Sequence, residues 1–426
     1  MKVNHVAWNL LGLGVPLVLA LATIPSLVSA LGMERFGLLT LAWALISYAG
    51  VFDLGIGRAT TQYIARLRGI GRGGEARQIL LSALKLTVIT GGVGALVLCL
   101  AALMGAHRLL NYTQSLDAEV KASFILLALI LPLQALSATF RGVNEAFENF
   151  RDVSIIRIFL GGMNFLGPLA TTFVTTKLHW LVLSLLASRI VALLAFRLVA
   201  EKVLPAIEPQ RHGDASTASV GDVRRELLKF GGWATVSSVI SPLLLQMDRF
   251  VIAGVISAYA VAIYTLPYEL VVQSLVIVGA VTSVAFPTLT RLLHEDPDGW
   301  LKTFNLWTVG VTGAMTVVAA TIALILPVFL PWWLHNSFDA RSVSVGQILC
   351  LGVVANSIGS MYYALIQAHG RSDVTAKLHI LELPIYLVAL VILLEHFGVV
   401  GAACAWSGRM ALDASLLYYR SRSLHV

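Results

Sequence analysis

The sequence predicts an all-α polytopic membrane protein of about twelve transmembrane helices, divided six and six. Three observations carry that reading. Hydrophobic residues make up 58% of the chain and charged residues only 12%, with mean hydropathy +0.83, whereas soluble globular domains carry about 25% charge. Apolar runs of about 20 residues, enough to cross about 30 Å of hydrocarbon, can be marked out twelve times. One polar break, residues 201–229, separates the runs into equal sets.

The first run lies in MKVNHVAWNLLGLGVPLVLALATIPSLVSALG and continues for about 24 residues, longer than the apolar core of a cleaved signal. We read it as a retained first helix, 8–31. Five more spans, 37–62, 79–103, 122–142, 153–176 and 180–200, complete an N-terminal six-helix domain, 1–200. Residues 201–229 are a linker rich in Pro, Gly, Ser and Asp, in which DVRRELLKF can form a short basic amphipathic helix on the membrane surface. The C-terminal domain, 230–426, holds spans 230–256, 259–286, 303–326, 343–368, 377–397 and 399–419. An ungapped shift of 225 residues aligns Trp8 with Trp233 and Arg66–Leu67 with Arg291–Leu292, a weak internal repeat with 8 of 60 positions matched. Six-plus-six halves are a common transporter plan.

Orientation follows from the basic residues. With the N-terminus inside, seventeen Lys and Arg fall on the cytoplasmic side and only Arg35, Arg108, Lys121, Lys177 and Arg341 face outward, so both termini are expected in the cytoplasm. Trp180, Trp332 and Trp333 then lie at the outer borders. The net charge of +7 is therefore a feature of membrane orientation and does not point to nucleic acid. Cys99, Cys350 and Cys404 lie in apolar runs without CxxC spacing, so no disulfide framework, metal site or cofactor is expected.

Charges inside the spans are the candidate functional residues, because a charge at the helix centre costs about 2.5–3.5 kcal/mol or more to insert. Counting 1.5 Å per residue from the span ends puts Arg189, Glu269 and Arg409 near the midplane. Lys85, Asp53, Asp248, Arg249, Glu382 and Asp413 lie nearer one face, and Arg58, Arg157 and Arg197 can reach the cytoplasmic border. Plainer readings stand beside the functional ones. Arg58, Arg197 and Lys85 can snorkel to headgroups. Asp248–Arg249 can mark an early span end, and Arg409 with Asp413 can form an i,i+4 pair. Asp53 and Arg58, five residues apart, would lie about 140° apart on a continuous helix and so pair poorly. Polar Gln134, Asn164, Gln246, Gln273 and Asn356 recur near mid-depth, where they can bond between helices. Pro267, two residues before Glu269, can kink its helix beside the buried acid.

Seven basic residues against five acids in the spans favour an anionic substrate, with the acids as candidates for ion coupling. The assignments are Arg189, Arg249, Arg409, Arg58 and Lys85 for substrate, and Asp53, Glu269, Asp248 and Asp413 for a proton or sodium ion or for gating. No HExxH, Walker A or GxSxG motif is present, so no enzyme is indicated. The outer loops, about residues 104–121 and 327–342, are short for a glycosyltransferase or polymerase domain.

Two segments carry a family resemblance. FGLLTLAWALISYAGVFDLGIGRATTQYIAR, with Phe36–Gly37 opening it, Asp53–Leu54–Gly55 in its inner part and a basic end following, resembles the second helix of Wzx-type polysaccharide flippases. These are O-antigen, capsule and teichoic-acid exporters of the multidrug/oligosaccharidyl-lipid/polysaccharide transporter superfamily. GGWATVSSVISPLLLQMDRFVIAGVISAYAVAIYTLPYEL, with Trp233, Asp248–Arg249 and Tyr264, is similar to the family's seventh and eighth helices. The resemblance implies two six-helix bundles around a central cavity. It also implies flipping of an oligosaccharide on an undecaprenyl pyrophosphate carrier across the cell inner membrane, driven by an ion gradient. Membrane lipids and a polysaccharide polymerase are the implied partners. Asp53, Arg58, Asp248 and Arg249 are carried over by position, whereas Arg189, Glu269 and Arg409 rest on depth alone. The alternative is a cation-coupled multidrug or small-molecule antiporter of the same superfamily, for which acids would be expected to dominate the cavity.

Overall fold

The computed structural model describes residues 3–48, 53, 55–69, 73–204, 244, 246–295 and 299–422, with side chains from residue 14 onward apart from His294 and Ser372. The described residues form helices joined by short turns, and the chain divides into two compact units, Met1–Gln246 and Met247–Val426. The expected linker helix within 201–229 and Trp233 lie outside the described residues.

In the first unit, α1 (Val3–Tyr48) holds the first span and much of the second. Its break is Gly32, at φ 73 and ψ 164, a backbone conformation that L side chains resist. The expected second span, 37–62, is not one helix. Helix α1 ends at Tyr48, and α2 (Ile56–Gly69) starts anew beyond Gly55, whose φ is 72. Helix α2 buries Ile56, Ile64 and Leu67 and exposes Arg66 and Arg68. This one-sided pattern suits a helix at a membrane border. Helices α3 (Ala76–Leu103), α4 (Asp117–Ala146), α5 (Phe150–Thr172) and α6 (Leu178–Val203) follow the remaining expected spans within a few residues.

Helix α4 is the hub of this unit, packed against α2, α3 and α6. The α2–α4 crossing depends on glycine, because a Cβ at Gly142 would lie 2.4 Å from the Gly57 carbonyl oxygen. Some buried polar groups pair between helices. Thr87 and Thr139 hydroxyls share a bond of 2.8 Å, and Asn144 Nδ2 donates to the Phe196 carbonyl at 3.2 Å. At one end, Arg35 pairs with Glu119 at 3.0 Å, and the same carboxylate accepts the Leu178 N–H at 2.9 Å.

The second unit comprises α7 (246–255) from its second residue on, α8 (Ala258–Val272), α9 (Leu275–Glu295), α10 (Trp300–Leu334), α11 (Arg341–Ala368) and α12 (Ser372–Arg422). The Ser257 side chain accepts the Ala260 N–H at 3.2 Å and so caps the start of α8. The single expected span 259–286 is two helices, separated at Gln273 and Ser274. The two final spans are joined in α12 and separated by Gly398 at φ 59, one residue beyond the expected end of the eleventh span. Helix α11 packs against α8, α9, α10 and α12, and its buried face includes Gly346, Gly352 and Gly359.

Nine helices among the described residues are long and apolar enough to cross a membrane, and α8 is a shorter apolar helix. Their apolar residues are not hidden. Val88, Ile89, Val93, Leu96 and Val97 of α3 are 55–62% exposed, a continuous apolar face that water would not tolerate and lipid does.

Candidate substrate and coupling sites

Asp53 sits in the break between α1 and α2, and the start of α2 explains it. Both carboxylate oxygens accept the Gly57 N–H, each at 3.1 Å. The first N–H groups of a helix lack intrahelical acceptors, and a carboxylate there also meets the positive end of the helix dipole. Asp53 is buried, and Arg141 of α4 and Arg58 act on it electrostatically. Arg58 itself is exposed in the first turn of α2. The 140° separation expected for Asp53 and Arg58 does not apply, because they do not share one helix. Lys85 is exposed on α3 and is not brought to either residue.

Arg189 of α6 is only 4% exposed, and its Nη2 donates to Asn164 Oδ1 of α5 at 2.7 Å. Among the described residues no carboxylate forms an ion pair with it, and its Nε has no hydrogen-bond partner. Its partner among the described residues is thus a neutral amide, and a charge buried in this way is costly in hydrocarbon. An apolar cleft of about 820 Å³ opens between α5 and α6, lined in part by Phe159, Met163, Leu183, Ser188 and Val191 but not by Arg189.

In the second unit, residues expected to act separately converge. Asp248 and Arg249 of α7 are both buried, and α7 continues for six residues beyond Arg249. They do not mark a span end. The Tyr264 hydroxyl donates to Asp248 Oδ2 at 2.7 Å, and Arg249 Nη2 donates to Glu269 Oε1 at 2.7 Å. The Arg249 guanidinium lies 5.4 Å from the Tyr268 ring centre, and Tyr268 meets Trp406 edge-on at 5.8 Å. The Glu269 side chain is 43% exposed, so the pair has one open side.

The Arg409 group is wider than the expected i,i+4 pair. Its Nε stands 3.9 Å from Glu382 Oε2, its guanidinium lies 5.4 Å from the Tyr386 ring centre, and Asp413 faces His379 at 3.7 Å. His379, Tyr268 and Tyr386 escaped the depth count, which scored formal charge alone. The spacing His379-x-x-Glu382 did carry a signal, since it puts both side chains on one helix face.

Comparison with known proteins places this architecture. In structure, the chain is similar to "Inward-facing conformation of a multidrug resistance MATE family transporter of the MOP superfamily", with TM-score 0.79 and 15% identity, covering 98% of both chains. That likeness establishes the all-helical polytopic membrane fold expected from the sequence. In sequence, it is 28% identical to the Shigella flexneri "Putative O-antigen transporter", over 98% of this chain and 97% of that one. It is also 23% identical to the Escherichia coli (strain K12) "Lipopolysaccharide biosynthesis protein WzxC", over 45% of this chain and 39% of that one. Residues 3–293 match the family described as "Polysaccharide biosynthesis protein". The chain belongs to the polysaccharide biosynthesis protein family.

Proposed function

We propose that this chain exports an O-antigen-type, lipid-linked oligosaccharide across the cell inner membrane by alternating access. The supporting observation is the similarity to the Shigella flexneri protein along nearly the whole of both chains. The physical problem fits the structure. A sugar–phosphate headgroup entering hydrocarbon would lose its hydrogen bonds to water, at a cost of about 2–7 kcal/mol per uncompensated polar group. Buried polar groups supply substitutes, and buried cations supply charge.

Arg189 is the residue proposed to meet the anionic headgroup, a pyrophosphate or an acidic sugar, since Asn164 orients it without neutralising it. Arg249 and Arg409 contribute at the aromatic-lined sites of the second unit, with Arg58 and Lys85 at more open positions. Asp53, Asp248, Glu269 and Asp413 are the proposed ion-coupling or gating acids, with a proton or sodium ion as coupling ion. The carrier is proposed to be undecaprenyl pyrophosphate, the termini cytoplasmic, and a polysaccharide polymerase the consumer of the exported unit. Flipping of a polyprenyl-pyrophosphate-linked oligosaccharide in proteoliposomes tests the reading. Drug-cation efflux without lipid-linked sugar transport would favour the antiporter instead.

A further inference from the structure

We propose that His379 Nε2, a Glu382 carboxylate oxygen and an Asp413 carboxylate oxygen form a binding site for one divalent transition-metal ion of the zinc or manganese class. The site lies wholly within the second unit, where the two halves of α12, on either side of Gly398, bring His379 and Glu382 against Asp413.

Geometry is the first argument. The three donor atoms lie within 4.8 Å of one another, and His379 Nε2 is 3.7 Å from Asp413 Oδ1. Ligands at about 2.0–2.2 Å from a common ion stand about 3–4 Å apart, so the His–Asp edge already has the required length. Glu382 closes the third corner by a small side-chain adjustment. An imidazole nitrogen with two carboxylate oxygens suits zinc or manganese better than sodium, which prefers an all-oxygen shell. Three protein ligands would leave a further coordination position for water.

Burial and charge are the second argument, independent of the spacing. Glu382 is 0% exposed, its carboxyl group faces that of Asp413 within hydrogen-bond reach, and neither of its oxygens receives an N–H or hydroxyl donor among the described residues. Asp413 Oδ1 also has none. A buried carboxylate demands compensation, and the neighbouring cations are shared. Arg249 serves Glu269 and acts on Asp248, while Arg409 acts on Asp248 as well as lying 3.9 Å from Glu382. Glu382 and Asp413 are thus two facing acids beside the Arg409 guanidinium, a pair that shares a proton in the absence of metal and that a dication can occupy by displacing it.

The surroundings hold the donors in place. The Tyr363 ring of α11 stacks on the His379 imidazole, with centroids 6.1 Å apart and planes within 5°. Gly359 of α11 leaves room for the Asp413 carboxylate, since a Cβ there would lie 3.2 Å from Oδ2. Arg409 stands behind Glu382 as an outer partner, the arrangement that orients carboxylate ligands in metal sites.

The test uses the full chain in lipid nanodiscs, stripped with a chelator and titrated separately with Zn²⁺ and Mn²⁺ against a chromophoric competitor. Saturable binding of one Zn²⁺ or Mn²⁺ per chain is expected. His379→Ala and Asp413→Asn should each weaken it at least about 10-fold, and Glu382→Gln should abolish it. His396→Ala removes an exposed imidazole of the same helix and should leave binding unchanged. If Glu382→Gln does not accumulate, His379→Ala, at the more open edge, decides the matter. Absence of saturable Zn²⁺ and Mn²⁺ binding, binding of Na⁺ alone, or full binding by a folded His379→Ala protein would overturn the proposal. The measurement needs no substrate, so its failure leaves the transport reading standing.

Discussion

Arg249 and Glu269, twenty residues apart and on different helices, meet in a 2.7 Å ion pair whose two ends have unequal access to water. Arg249 is buried among Asp248, Tyr268 and Glu269, whereas Glu269 keeps an open side. A pair of this kind holds α7 to α8 and can still exchange partners. Removing one member leaves the other charge exposed to a low dielectric, which is costlier than losing both.

Glu269→Gln should therefore destabilise the protein more than the pairwise attraction alone implies. The double variant Arg249→Met/Glu269→Gln should recover part of that loss, with a coupling of about 1–3 kcal/mol. Thermal unfolding of the four proteins in nanodiscs measures it. Strict additivity would show that the pair is not energetically coupled.

Asp53 serves as a cap on α2, and its proposed coupling role can be separated from that one. Asn is as good a cap as Asp, so Asp53→Asn should retain stability, while Asp53→Ala should lose about 1 kcal/mol. If Asp53 also carries the coupling ion, transport should fall in both variants. Normal gradient-driven transport by Asp53→Asn would leave it a cap alone.

Gly142 has no room for a side chain, because its Cβ would press on backbone atoms of Gly57. Gly142→Ala should force α2 from α4 and cost about 1–3 kcal/mol. Chain accumulation and midpoint of thermal unfolding report the loss.

Gly398 is different, since open space surrounds it and the constraint is its positive φ. Gly398→Ala should cost about 1–3 kcal/mol, from backbone strain alone. Gly398→Asn should lose as much, because at ψ −144 the backbone lies outside the left-handed helical region that Asn tolerates.

The membrane fold was legible because lipid enforces length and polarity on each span. Hydropathy located the turns at Gly32 and Gly398 within a few residues. It missed the break at Gln273–Ser274, since VVQSLVIVGAV stays apolar across it. It also joined α1 to α2 through Asp53, where glycines and an N-terminal cap end one helix and begin another. The candidate residues were found by charge and depth, but their partners were not. The Arg249–Glu269 pair, the Tyr264–Asp248 bond and the Arg189–Asn164 bond depend on which helix faces meet, and a single sequence does not state that. His379 was missed because its chemistry is ligation, not permanent charge.

The most direct measurement is transport of a polyprenyl-pyrophosphate-linked oligosaccharide by proteoliposomes containing the wild-type chain or Arg189→Ala. A hydrogen bond to a charged group is worth about 1.5–3 kcal/mol, so Arg189→Ala should weaken apparent substrate affinity about 10- to 100-fold. Arg189→Lys should recover part of it, and unfolding temperature should remain near the wild-type value. Wild-type flipping with unchanged affinity in Arg189→Ala would remove Arg189 from the substrate site, and no flipping by the wild-type chain would contradict the proposed function itself.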